Sequence, residues 1–431
     1  MGMTMAEKVL ARASGRTSLG AGEYVTARAD RVMAHEAFTL CALQLVKLGV
    51  RRLFDPERVI VLLDHYFPAP DVRMAQGHGI ARDLAKRFRV RHFLGHPGIC
   101  HQVLTERGLV RPGELVFGTD SHSTTYGALG AAGNGIGLTE MVYVLAVGEL
   151  WLRVPQTIRF ELEGTLGPGV MSKDVALHLA GAFGTEVATY RSVEYAGAAA
   201  GRMSIASRMT MANMGVELGA KFAFFAADEA TRAYLRAQGQ DEVPLFGPDA
   251  DASVEATHRV DVAAIEPQIA CPHNPGRVKP VSQFEGVHGV RVQQAFLGSC
   301  TNGRLEDLAV AAEVLRGRRV HPETRLIVTP ASQRVALEAT REGFAEVLLE
   351  AGAHITASGC GACPGGHSGL IGPGEVCLSS TNRNFRGRMG SPEGEVYLGS
   401  PASVAAAAVA GRIVDPREFW SGSMEDMAWR A

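Results

Sequence analysis

No run of the 431-residue chain is apolar for long enough to span a bilayer. Its start, MGMTMAEKVLARASGR, reads as a short amphipathic helix and lacks the apolar stretch and small-residue cleavage site of a secretory signal. Charge of one sign is also missing: the net charge is −2 with acids and bases mixed, which leaves no electrostatic footprint for nucleic acid. The basic segments RRLFDPER and Arg316 to Arg319 read as solvated helix ends. A disulfide framework is absent, since seven cysteines is an odd count and Cys41, Cys100, Cys271 and Cys377 show no framework spacing. These absences predict a cytoplasmic chain in a reducing compartment, with neither membrane nor nucleic acid as partner. Its length gives it two or three domains with ample core.

What is present first is a rhythm. RVIVLLDH reads as a buried strand, DVRMAQGHGIARDLAKRF as a helix, RVRHFLG as a strand and ICHQVLTERG as a helix. LVFGTDSHS follows as strand and loop, and LTEMVYVLAVGELWLR as a helix ending near Pro155. Such βαβ alternation argues for a mainly parallel sheet covered by helices. A second unit begins near TIRFELEG, and a third, from VRVQQAFLG to the helix ASVAAAAVAGR, repeats the rhythm. The expected architecture is α/β, with domains over residues 1–156, 157–285 and 286–431. Polar loops after the strands hold the reactive residues, as at the carboxyl ends of parallel sheets.

Three cysteines stand in glycine-rich polar segments: Cys300 in GSCTNGR, and Cys360 and Cys363 in GCGACPGGH. A CxxC pair with a third thiol 60 positions upstream (360 − 300 = 60) suits a metal or cluster better than a disulfide. Structural zinc closes on four ligands and a ferredoxin-type cluster on four cysteines, so a set of three leaves one metal position open as a Lewis acid. A buried inert pair and a zinc half-site are the plain alternatives. Asn302, Gly361, Gly365, Gly366 and His367 make both segments tight and polar, unlike packed-core cysteines.

Asp64-His65, directly after VIVLL, can place an imidazole at a cleft with a carboxylate beside it. Asp120-Ser121-His122 repeats the layout after LVFGT, and two such pairs in one domain favour catalysis over surface turns. The run GALGAAGNGIG does not fit a dinucleotide fingerprint; it reads as a loop feeding the helix after Leu138, whose N-terminal amides can face an anion. His101 on a helix and Glu194 in SVEYAG are ambiguous alone. In NRNFRGRMG, Arg383, Arg386 and Arg388 with Asn382 and Asn384 offer fork-shaped donors for carboxylates, a solvated basic loop being the alternative. Together these residues describe a site for a small polycarboxylic acid with Lewis-acid assistance.

The chain resembles the aconitase superfamily, in particular separate large subunits of the 3-isopropylmalate dehydratase and homoaconitase type. The likeness runs nearly end to end through DHYFPAP, GTDSHSTTYGALGA, RMTMANMGVELGAK, SCTNGRLEDL, GCGACPGGH and NRNFRGRMGSP. It implies three α/β domains around a central cluster cleft, without a swivel domain. It also implies one [4Fe-4S] cluster per subunit on Cys300, Cys360 and Cys363, with one iron that no protein residue ligates. The reaction implied is dehydration and rehydration of a hydroxy di- or tricarboxylate. The first reading is 3-isopropylmalate dehydratase in leucine synthesis; homoaconitase in lysine synthesis and related dehydratases of substituted malates or citramalate are alternatives.

By motif position, Asp64-His65 is similar to the pair that protonates the departing hydroxyl. His101 with Asp120, and His122 with Glu194, are similar to the supporting acid/histidine pairs. Ser121 resembles a carboxylate contact, Asn302 and Asn382 cluster-supporting residues, and Arg383 and Arg388 the carboxylate grip. Departures are His35-Glu36, where aconitases have glutamine and the family usually has aspartate, and Ala362 and Pro364 in the cluster loop. The resemblance further implies a separate small subunit that carries the swivel domain, its proton-abstracting serine and another arginine, because no segment here is expected to supply them. Two other readings are a structural zinc protein and a regulator that binds RNA on losing its cluster. The near-neutral charge and lack of basic stripes speak against the second.

Overall fold

In the computed structural model, which describes residues 2–419, the apolar runs pair into three mainly parallel sheets. The first holds His92–Gly95, Val59–Leu62, Arg31–Ala34, Leu115–Gly118 and Ala132–Gly135, in that order and all parallel. Val59–Leu62 is buried at every position, as a strand covered on both faces must be. The second sheet runs Phe222–Phe225, Ser192–Ala196, Thr157–Glu163, Ala256–Asp261, again parallel throughout.

The third sheet has a parallel core of Glu395–Leu398, Val376–Ser379, Gln294–Gly298, Arg325–Thr329 and His354–Ile355. Gln268–Ala270 and Val278–Pro280 extend it antiparallel on one side. Sheet membership therefore departs from the expected boundary after residue 285: the segment 268–280 hydrogen-bonds into the third sheet. Helix Ile205–Met214 packs on the Ser121–Leu129 segment and so ties the second unit to the first. Among the described residues no helix is long and apolar enough to cross a membrane.

Two further expectations are corrected. LTEMVYVLAVGELWLR is not one helix: Leu138–Val147 stops at Gly148, which takes φ +84°, and Glu149–Arg153 pairs antiparallel with Tyr24–Arg28. Alternating burial along ELWLR has the strand period of two, which the apolar helix before it masks. The run GALGAAGNGIG is not simply a loop either. It ends a 3₁₀ segment, Ser121–Leu129, and then supplies the edge strand Ala132–Gly135. Its glycines allow close packing: a Cβ at Gly127 would lie 1.6 Å from the Ala223 carbonyl oxygen, and one at Gly133 1.9 Å from that of Ser123.

Candidate active site

Each reactive segment leaves the carboxyl end of a parallel strand. Asp64-His65 follow Val59–Leu62, Asp120-Ser121-His122 follow Leu115–Gly118, and Cys300 follows Gln294–Gly298. Cys360 and Cys363 come after His354–Ile355, and Asn382-Arg383 after Val376–Ser379. Several of these loops reach a cavity of about 380 Å³ lined by His35, His65, Thr119, Asp120, Ser121, His122, Gly135, Ile136, Pro364, Arg383 and Arg388, while the three cysteines and Asn382 are buried outside its lining. A larger cavity of about 700 Å³, bounded by Ile205, Tyr234, Arg304 and Phe344, carries none of these reactive side chains.

Asp120 organises the polar wall. Its Oδ1 accepts from His101 Nε2 at 3.1 Å and lies 3.2 Å from His122 Nδ1, while Oδ2 accepts from His65 Nε2 at 2.9 Å. Burial works against the charge, but these three imidazoles hold the carboxyl well below its ordinary value. His65 completes a second contact through Nδ1 to Asp64 Oδ1 at 2.8 Å, and Asp64 Oδ2 accepts from the Cys100 amide at 2.6 Å. Although burial disfavours its cation, Asp64 and Asp120 raise His65 well above the usual imidazole range. Two carboxylate acceptors require two N–H donors, so the ring is an imidazolium. His101 is displaced the other way, because burial outweighs its single carboxylate partner.

Cys300, Cys360 and Cys363 are buried and share one packed cluster. Cys300 Sγ accepts from the amides of Asn213 at 3.2 Å and Asn382 at 3.5 Å, and Cys363 Sγ from Arg388 at 3.6 Å. The Cys360 thiol donates to Cys363, which together with Arg388 holds Cys363 well below its ordinary value despite burial. Burial pushes Cys300 up to about 12. Three convergent thiols, with amide and guanidinium donors aimed at sulfur, fit an iron–sulfur cluster held on three cysteines. His35, Glu36 and His65 also bring ligand atoms within 4.8 Å of one another. Both nitrogens of His65 are already taken by Asp64 and Asp120, which leaves that group a hydrogen-bonding role.

The structure gathers Asp64, His65, His101, Asp120, Ser121, His122, Asn382, Arg383, Arg388 and the three cysteines, and it corrects two expectations. Glu194 does not pair with His122: it lies mid-strand in the second sheet and accepts from the Met5 amide at 2.8 Å and Arg159 at 2.9 Å. The carboxylate on His122 is Glu217, 3.0 Å from Nε2, and Arg383 Nε lies 2.7 Å from the same oxygen. Asn302 donates to Asp307 and Thr210, so its support reaches the loop and not the sulfurs. Asn213 and Asn382 make the sulfur contacts. Glu217 and Asn213 both stand in RMTMANMGVELGAK, so the motif that carried the resemblance also carried the missing residues.

Comparison with known proteins identifies the family. The aconitase family (aconitate hydratase) matches residues 7–411. The large subunit 1 of 3-isopropylmalate dehydratase from Methanopyrus kandleri is 47% identical over 97% of this chain and 100% of its own length. That from Moorella thermoacetica is 44% identical over 97% and 99%. The crystal structure of Thermococcus kodakaraensis aconitase X in its holo-form shares the fold, with TM-score 0.50 at 12% identity over 94% of this chain and 90% of that one. A match that spans almost every element described above, at 47% identity to a relative over nearly the whole of both chains, makes this chain a member of the aconitase family.

Proposed function

We propose that this chain is the cluster-bearing large subunit of a hydro-lyase that shifts a hydroxyl between adjacent carbons of a hydroxy-dicarboxylate, and that the substrate is 3-isopropylmalate. The observation that carries the reading is near full-length identity to 3-isopropylmalate dehydratase large subunits, combined with a cavity that pairs cationic and acid/base groups. Cys300, Cys360 and Cys363 would hold a [4Fe-4S] cluster, whose three-cysteine ligation leaves Lewis acidity available to polarise the substrate hydroxyl. His65, kept cationic between Asp64 and Asp120, lines the cavity and carries its Nε2 proton against Asp120 Oδ2 at 2.9 Å, a bond that must open for the proton to pass to a departing hydroxyl. Arg383 and Arg388 face the same cavity and can bind carboxylates through two parallel N–H donors. Asp120 fixes the imidazole of His101 behind the cavity wall, and Glu217 that of His122 on it.

The base that removes the substrate proton is assigned to a separate small subunit, because the acids and histidines of this cavity are already engaged. His35, for example, lies with Nε2 3.3 Å from the Thr119 carbonyl oxygen while Nδ1 accepts from the Ala37 amide. The test is an anaerobic assay of the reconstituted two-subunit complex against 3-isopropylmalate, homocitrate and citramalate, read as formation of the unsaturated acid. Turnover of 3-isopropylmalate with the highest kcat/KM is expected. A clear preference for another hydroxy acid would reassign the substrate, and no turnover of any of the three would reject the reaction class.

A further inference from the structure

Lys173 is one of six lysines in the chain, and its side chain is 0% exposed. It occupies the first turn of helix Ser172–Phe183, where the helix dipole is positive and a second positive charge is unfavourable. Burying an ammonium there costs stability unless something nearby repays it. The Nζ donates to the carbonyl oxygens of Ser380 at 2.8 Å and Thr381 at 2.5 Å, both neutral acceptors. Those two residues follow the Val376–Ser379 strand and lead directly into Asn382 and Arg383.

The same junction reaches the other cysteine loop. Ser380 Oγ accepts from the Gly298 amide at 3.0 Å, two residues before Cys300, and Asn382 donates to Cys300 Sγ. One ammonium thus clamps the main chain between the Cys300 loop and the segment that presents Asn382 to sulfur and Arg383 to Glu217. Burial draws the amine down to about 7, against the pull of Asp174, the Cys363 sulfur, Asp307 and the Cys300 sulfur, which favour its charged form. Nothing in the proposed reaction uses this group.

We infer that Lys173 is a positioning residue for the iron–sulfur centre, which pins the main chain ahead of Asn382 and Arg383 and, in its protonated form, adds a buried positive charge whose field reaches the ligating sulfurs. The inference rests on the cluster assignment above. A positive charge held close in a dry site favours gathering three thiolates and favours the more reduced state of whatever they bind. Neutralising it without changing the shape of the side chain should weaken both.

The experiment compares the full chain with Lys173→Met, Lys173→Gln and Lys173→Arg, each reconstituted anaerobically with iron and sulfide. Cluster content and the midpoint potential of the [4Fe-4S] couple are read by visible absorbance and EPR-monitored titration. In Lys173→Met and Lys173→Gln the cluster content should fall severalfold and the potential should move negative. Lys173→Arg should restore the potential, which a purely structural role would not predict. Wild-type potential and content in Lys173→Met would overturn the inference, as would equal potentials in the Gln and Arg variants.

If the variants do not fold, wild-type protein labelled with [¹⁵N]lysine decides. One side-chain resonance should be displaced by the paramagnetic centre when the reconstituted chain is reduced by one electron and return on cluster removal, and no displaced resonance in the reduced chain would overturn the inference. A wild-type chain that takes up no cluster would instead reject the cofactor assignment itself.

Discussion

Asp120 accepts from three histidines, and that sharing decides where a proton is available. His65 lies above its ordinary pKa of about 6.5, so it stays cationic through neutral pH and loses its proton only as pH climbs through the raised value. By linkage its ion pairs stabilise the fold fully below the unfolded value, and that contribution is lost on the same alkaline rise. Activity that depends on His65 as acid should therefore hold across neutral pH and fall on the alkaline side. Asp64→Asn removes one of the two carboxylates and should bring that limb to lower pH. The measurement is kcat/KM against pH for the complex of both subunits, and an unmoved limb would count against His65 as the acid. Glu217 and Glu194 offer a paired test of the corrected partnership. Glu217→Gln should lower kcat/KM by about 100-fold, roughly 2.7 kcal/mol, since it loosens both His122 and Arg383. Glu194→Gln should leave kcat/KM near wild type and cost about 1–3 kcal/mol of stability in denaturant titration, because it weakens the contact to Arg159 and the Met5 amide. The opposite pattern would restore Glu194 to the site.

Strand ends are what make these residues meet. Wherever a continuous apolar run stops at a polar pair, as VIVLL does at Asp64-His65, the sequence already shows both the buried strand and the loop that leaves its carboxyl end. That local signal made Asp64, His65, Asp120, His122 and the cysteine loops legible. It says nothing about Glu217, which sits in the short 3₁₀ turn Gly215–Leu218 and reaches a histidine 95 positions away. Choosing it over Glu194 needs the register of the second sheet, in which Glu194 faces Arg159 on the neighbouring strand. The strand Glu149–Arg153 was hidden for a similar reason, since its pairing partner Tyr24–Arg28 lies more than a hundred residues earlier and the apolar helix before it runs straight into it. The glycines of GALGAAGNGIG carry a prediction at this scale. Gly133→Ala would set a methyl 1.9 Å from the Ser123 carbonyl oxygen, on the segment that carries Ser121 and His122. Overpacking against main chain costs about 1–3 kcal/mol, so the variant should melt at lower temperature and lose kcat more than it raises KM. A variant with unchanged melting temperature and kcat would show that the segment gives way freely.

Across the whole molecule, two of the three sheets, the first and the third, send loops to one cavity, and the side chains they bring are suited to binding and to protonation. They are not suited to deprotonating carbon. Asp120 is bound by three imidazoles, Glu217 by His122 and Arg383, and His35 by the main chain on both ring nitrogens. A general base needs a lone pair free to meet the proton it removes, and here the carboxylates and ring nitrogens are held in hydrogen bonds and ion pairs that compete with that role. On the reading proposed above, a separate small subunit would close the cavity wall formed by Ser121, Gly135, Ile136, Pro364 and Arg388, supply the base and exclude water. The purified large chain should take up a cluster and become brown, yet form no unsaturated acid from 3-isopropylmalate until the small subunit is added. Titrating the small subunit at constant large chain should bring activity to a plateau at one partner per cavity, while cluster absorbance stays level. If the large chain alone reached the plateau rate, one of the groups assigned here to binding would have to be the base, and Ser121, whose place on the cavity wall is next to His122, would be the first to test by substitution with alanine.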